Sequence, residues 1–184
     1  MVTSFTRIIV ALSFLRAGLG LQSTPANLVM ITLALFMTFY IMAPTFDAAW
    51  KEGILPLSRE EISPEEAYGR ITDPFRDFMM AQTRPKDLAM FADLAGVAPA
   101  PDEEVELRIL IPAFMISELR RGFEIGFLIV LPFLVIDMIV ATLVMSMGMM
   151  MMPPTVIALP FKVLFFILID GWNLLVGSLV RSFM

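Results

Sequence analysis

The sequence predicts an all-α, membrane-associated fold, in which helical hairpins assemble into an oligomer. Three observations point there. The chain is 58% hydrophobic with a positive mean hydropathy of +0.82, against about 45–50% apolar for a soluble domain; that excess needs a bilayer or a large subunit interface to cover it. The charges are confined: Asp47–Arg108 holds fourteen of the eighteen acids and seven of the thirteen bases, net −7, while the rest is net +2 and almost free of charge. Third, polar residues on the apolar C-terminal part fall at helical spacing. With 184 residues one compact unit is expected. It divides into an apolar stretch 1–46 with two helices, a polar stretch 47–107, and an apolar stretch 108–184 with a Met-rich loop at 145–152.

The elements follow in order. Ile8–Leu15 is apolar between Arg7 and Arg16. It is short for a secretory h-region, and Arg16 stands where a small-residue cleavage site would be, so it reads as a helix turning at Gly18 and Gly20 onto the next. Asn27–Phe46 carries no charge before Asp47; as a helix its twenty residues span about 30 Å, the thickness of the hydrocarbon core. In the polar stretch, Ser63 suits an N-cap, Pro64 the first helical position, and Glu65 and Glu66 the positive helix end. A second polar helix is expected over 86–94, ending at Gly96, and "APAPDEE" reads as a linker. These charges are a solvated surface, and the stretch fits the periplasmic side of an inner membrane.

From Leu107 to Met152 the chain is apolar except where "ELRRGFE" (118–124) interrupts it. There Glu118, Arg120, Arg121 and Glu124 sit within two turns, at spacings that permit Glu–Arg pairs. The stretch that follows carries one acid, Asp137, before Gly148 and Pro153–Pro154 end it. From Thr155 to Met184 a single last element is expected. At about 100° per residue, its Lys162, Asp170, Asn173 and Arg181 share roughly a third of the circumference. A lipid-facing helix would not carry such a stripe, so it packs on protein or lines an aqueous cavity.

Several function classes are excluded. No basic patch suggests nucleic acid. Cysteine and histidine are absent, which removes thiol chemistry, the usual general base and the commonest metal ligand. No phosphate loop, nucleophile elbow or HExxH pattern occurs. Neither an enzymatic activity nor a cofactor is expected.

Two constellations stand out. "MSMGMMMMPP" places Met145, Met147, Met149, Met150, Met151 and Met152 within eight residues. Core filling explains one or two of them. Four consecutive methionines point all round a helix and cannot share one buried face. As a loop, these long unbranched side chains make a deformable apolar seal that conforms to unlike surfaces. Cu(I) binding by thioethers is the alternative from another class, and the absence of Cys and His weighs against it. The second is Asp137, alone in an apolar helix, with Lys162 and Asp170 eight residues apart near one face. A proton relay or an ion pair with Arg120, Arg121, Lys162 or a partner subunit both fit; pairing is the reading preferred.

Five segments, "TSFTRIIVALSFLR" (Thr3–Arg16), "TPANLV" (Thr24–Val29), "FEIGFLIVLPFLVIDMIVA" (Phe123–Ala141), "MSMGMMMMPP" (Met145–Pro154) and "PFKVLFFILIDGWNLLVGSLV" (Pro160–Val180), resemble the FliP family of the flagellar type III secretion export gate. The virulence-secretion counterpart, the alternative, reads differently at the Met run and at Asp170-Gly171-Trp172. Members of the family usually carry a signal sequence and further apolar residues ahead of "TSFTR"; here Met1 and Val2 precede it, which fits a processed or shortened form or a shorter gene. The resemblance implies several copies, a pentamer, assembling with FliQ and FliR proteins and with FlhB-type and FlhA-type export components in the flagellar basal body. It implies a helical cone raised from the inner membrane, contacts with membrane lipid, and unfolded flagellar proteins passing through the centre. In such a gate the Met-rich loop is the gasket, which maps here to Met145–Met152.

Overall fold

The computed structural model describes residues 1–97, 105–148 and 153–184. Among them every regular element is helical. The order is α1 (Phe5–Gly18), α2 (Asn27–Ala48), a π-helical turn (Ala49–Ile54), α3 (Leu55–Ser58), α4 (Pro64–Gln82), α5 (Pro85–Leu94), α6 (Leu107–Ser146), α7 (Pro154–Leu168) and α8 (Gly171–Arg181).

Local sequence accounts for most boundaries. Beyond the C-terminus of α1, Gly20 takes a left-handed φ of 77°, which a side chain resists. Ser63 Oγ accepts from the Glu66 N–H at 3.2 Å, capping α4 as the sequence predicts. Gly96, φ 67°, follows α5. At two places the structure departs from the sequence expectation. "ELRRGFE" does not interrupt the third apolar stretch; α6 runs unbroken for 40 residues, because Glu and Arg are good helix formers and their charges find partners without ending the helix. The last element is two helices, α7 and α8, meeting at 64°. Asp170 lies between them at φ 52°, ψ 51°, a left-handed conformation that Asp tolerates better than most residues. The bend breaks the polar stripe that a straight helix would carry.

In place of the one compact unit expected from the length, two emerge: residues 1–6 with 35–121, and residues 7–34 with 122–184. They cut across the polar and apolar stretches of the sequence, because α2 and α6 each contribute to both. In the first unit Met79, Leu110 and Phe114 form a core against α4, α5 and the start of α6, and the Phe78 and Phe114 rings meet edge-on at 6.0 Å. Gly53 brings the π-helical turn onto α4 so closely that a Cβ there would stand 2.4 Å from Ile71 Cγ1 and 3.1 Å from the Ile71 backbone nitrogen.

In the second unit α1 lies along α6. A Cβ on Gly122 would meet Val10 at 3.1 Å, one on Gly126 the Phe14 ring at 2.6 Å, and one on Gly18 the Phe133 ring at 2.9 Å. The contacts advance in the same direction along both helices, so α1 and α6 run parallel. Gly122-Phe-Glu-Ile-Gly126 is a small-xxx-small pattern that lets helices approach this closely. Two helices, Asn27–Ser58 taken through the π turn and Leu107–Ser146, are long and apolar enough to cross a membrane, and the bent pair α7–α8 makes a third if counted as one. Only 17% of the most apolar window of α6 is buried, so its apolar surface needs cover from lipid or protein.

Candidate functional site

The second unit carries both constellations singled out by the sequence. α6 ends at Ser146, and its last turn closes through Met147 N–H to Leu143 O and Gly148 N–H to Met145 O, both 3.1 Å. Gly148 takes φ 73° and turns the chain away from the helix. α7 begins at Pro154, whose missing N–H costs nothing at a first helical position. Met145 and Met147 are 63% and 69% exposed; Met149, Met150, Met151 and Met152 lie outside the described residues. Below the turn, α6 and α7 pack through Val140, Val144 and Ala158. Beside that contact opens a groove of about 660 Å³, lined by Ile136, Ile139, Leu143, Met147, Ile157 and Phe161 among others.

One helical turn deeper, Lys162 Nζ of α7 contacts Asp137 Oδ2 of α6 at 2.5 Å and donates to Gly18 O at 3.0 Å. Lys162 is almost fully buried, so its ammonium has exchanged water for one carboxylate and the Gly18 carbonyl at the end of α1, where the helix dipole favours a cation. Asp137 Oδ1 has no hydrogen-bond partner among the described residues. Asp170 does not join this pair. It is exposed at the α7–α8 bend and accepts from Asn173 Nδ2 at 3.1 Å. Gly171 beside it has no room for a side chain: a Cβ would stand 2.2 Å from the Phe166 ring, which packs edge-on to Trp172 at 5.4 Å.

The charged run on α6 falls outside this centre. Arg121 donates to Gln82 Oε1 at 2.9 Å within the first unit, Arg120 lies near enough to Asp87 to act on its charge, and Glu124 is exposed.

Two polar centres are not predicted by the sequence pattern. Arg7 is fully buried, donates to Ser182 O at 2.7 Å and Ser182 Oγ at 3.0 Å, and stacks over the Phe183 ring at 3.7 Å. An arginine opening an apolar helix is the one signal that marks it. In the first unit, Arg84 and Asp87 form a two-pronged pair (Nε–Oδ2 3.0 Å, Nη2–Oδ1 2.9 Å), Ser117 Oγ donates to Asp87 Oδ2 at 2.6 Å, and the Arg84 N–H donates to Ser117 Oγ at 3.1 Å. The knot ties the start of α5 to α6. The Arg84 guanidinium, helped by the Ser117 hydroxyl and against the effect of burial, holds the Asp87 carboxyl below its usual value. A depressed carboxyl stabilises the fold above its unfolded pKa, about 3.9, and that stability is lost as pH falls through the folded value. The expected result is that acid titration loosens the first unit only below about pH 4, whereas Asp87→Asn removes the dependence; hydrogen exchange across 85–94 and 110–118 checks it.

A model of the FliP family matches residues 1–179. The chain is 66% identical to "Flagellar biosynthetic protein FliP" of Rhizobium meliloti (strain 1021) over all of its own length and 76% of that protein. To the protein of the same name in Agrobacterium fabrum (strain C58 / ATCC 33970) it is 62% identical, with the same shares covered. To that of Bacillus subtilis (strain 168) it is 52% identical over all of its own length and 83% of the relative.

Proposed function

This chain belongs to the FliP family, and from that premise we propose that it is a core subunit of the flagellar type III secretion export gate. Several copies, with FliQ and FliR proteins, enclose a path through which unfolded flagellar proteins cross the inner membrane. The Met145–Met152 segment seals that path when it is idle. The observation that carries the reading is the juxtaposition at the end of α6: exposed methionines on a glycine-turned end, above a wholly apolar groove, on helices that leave most of their apolar surface uncovered. Such surface supports assembly with further copies better than an isolated existence in lipid. The Asp137–Lys162 pair then pins α7 to α6 and to the end of α1, fixing the base of the sealing segment; it holds helices together and does not conduct protons.

The experiment is the mass of the detergent-purified assembly, with and without the partner subunits. A mass of several copies that grows on adding FliQ and FliR proteins is expected; a lone chain in both preparations contradicts the proposal. The polar stretch 47–107 faces the periplasm in this arrangement. A cysteine at position 98, in a chain otherwise free of thiols, is expected to react with an impermeant reagent in intact spheroplasts; labelling only after lysis contradicts the orientation.

A further inference from the structure

Among the described residues of the second unit, two buried cations end on helix C-termini. Lys162 of α7 donates to Gly18 O, at the end of α1, at 3.0 Å. Arg7, in the first turn of α1, donates to Ser182 O at 2.7 Å and to Ser182 Oγ at 3.0 Å, where Ser182 closes α8. The Ser182 hydroxyl gives its own hydrogen to Leu179 O at 2.7 Å, which leaves its lone pairs for the guanidinium. A cation is favoured at a helix C-terminus and disfavoured at an N-terminus. Arg7 therefore stands at the unfavourable end of its own helix, fully buried, and it is the end of α8 that accounts for it.

The first helix is thus tied to α7 at one end and to α8 at the other, while α7 and α8 are joined at Asp170. The three helices close a triangle. Along a straight helix residues 162 and 182 would stand about 30 Å apart, and the 64° bend shortens that span to about 25 Å. The rise of α1 from Arg7 to Gly18 is about 16 Å, and the two long side chains make up the difference. At the corner, Asp170 has φ 52° and ψ 51°, a conformation that persists in a residue other than glycine only where the surroundings impose it.

We infer that α1 is a brace across the bent pair α7–α8: its two ends fix the angle at Asp170, and opening the Arg7 tie lets α8 swing toward the straight form. The Lys162–Asp137 contact keeps α7 on α6 during that swing, so α8 changes its angle without disturbing the α6–α7 pair. Trp172 moves with α8, away from the Phe166 ring that it meets edge-on at 5.4 Å. The device stands on contacts buried within one unit and is independent of the sealing role.

The test is a distance measured by pulsed electron spin resonance in the assembled complex. A minority of chains carries spin labels on cysteines that replace Val156 of α7 and Arg181 of α8, in a sequence otherwise free of thiols. Straightening the pair lengthens this distance by about 5 Å, from the rise per residue. R7M is expected to show that shift. R7K keeps a donor for Ser182 O and is expected to hold the short distance. D170A removes the residue suited to the corner but leaves both ties of α1, so it too is expected to hold the short distance. An unchanged distance in R7M overturns the inference. So does a lengthening in D170A alone, which would place the angle in the backbone of residue 170 and not in α1. Because D170A leaves Arg7 and Lys162 untouched, the inference stays testable if R7M fails to fold.

Discussion

Replacing Lys162 with methionine is expected to destabilise the second unit by about 3–5 kcal/mol, the usual cost of stranding one partner of a buried ion pair. Among the described residues Lys162 Nζ contacts two polar groups, Asp137 Oδ2 and Gly18 O. Removing it leaves the Asp137 carboxylate, one oxygen of which already has no hydrogen-bond partner among the described residues, without its counter-charge inside an apolar helix pair. It also takes the donor away from the Gly18 carbonyl at the end of α1. The double change Lys162→Met with Asp137→Leu is expected to restore most of the loss, since well-packed apolar residues replace buried ion pairs at little cost. Denaturant midpoints in detergent for the two single variants and the double read the coupling directly. Asp137→Asn keeps an oxygen for Lys162 to bond, so assembly is expected to persist with export intact. Export that stops while assembly persists would assign the pair to proton movement instead.

Gly126→Ala is expected to cost about 1–3 kcal/mol by overpacking. The added carbon would lie 2.6 Å from two atoms of the Phe14 ring and 2.8 Å from Phe14 Cβ. The ring cannot swing away freely, because it packs edge-on to Phe123 at 5.1 Å; the parallel helices α1 and α6 must separate. Gly69→Ala is the matched control. Nothing lies within 4 Å of its Cβ position on α4, and a helix-interior glycine replaced by alanine gains roughly 0.5–1 kcal/mol. Opposite signs for the two changes in the same thermal unfolding experiment are the expected outcome. Equal effects would mean that α1 and α6 do not meet through these glycines.

Much of this architecture is legible in the residues, and what is not legible stays hidden for physical reasons. Helices are readable wherever apolar runs meet recognised ends: Ser63 and Pro64 at the start of α4, Gly96 after α5, Gly148 and Pro153 around the methionines. The continuity of α6 is not, because a charged run of strong helix formers looks like a boundary in hydropathy and is none in backbone preference. The bend at Asp170 is hidden for a different reason. A periodic stripe assumes a straight helix, and only the structure reveals a left-handed Asp beside a glycine pressed on Phe166. Helical spacing gives Lys162 and Asp170 a common face, whereas packing sets Lys162 against Asp137, one of the four pairings that the sequence leaves open for that acid. The Arg84–Asp87–Ser117 knot joins residues 30 or more positions apart and leaves no mark on local pattern. The small-xxx-small spacing of Gly122 and Gly126 lies in the open in the sequence, but spacing alone does not say which helix fills the notch; Val10 and Phe14 of α1 do so in the fold.

The sealing role of Met145–Met152 is the centre of the account, and ion flux through vesicles holding the assembled gate tests it most directly. Leucine conserves apolar bulk, so Met→Leu changes across the segment are expected to leave resting vesicles nearly tight. Shortening the same side chains to alanine removes bulk from every copy at once. With the mass of the assembly unchanged, these vesicles are expected to leak small ions, most when no polypeptide occupies the path. An assembly of unchanged mass that carries alanine at all six positions and stays impermeable to ions would contradict the account and move the seal to another part of the gate.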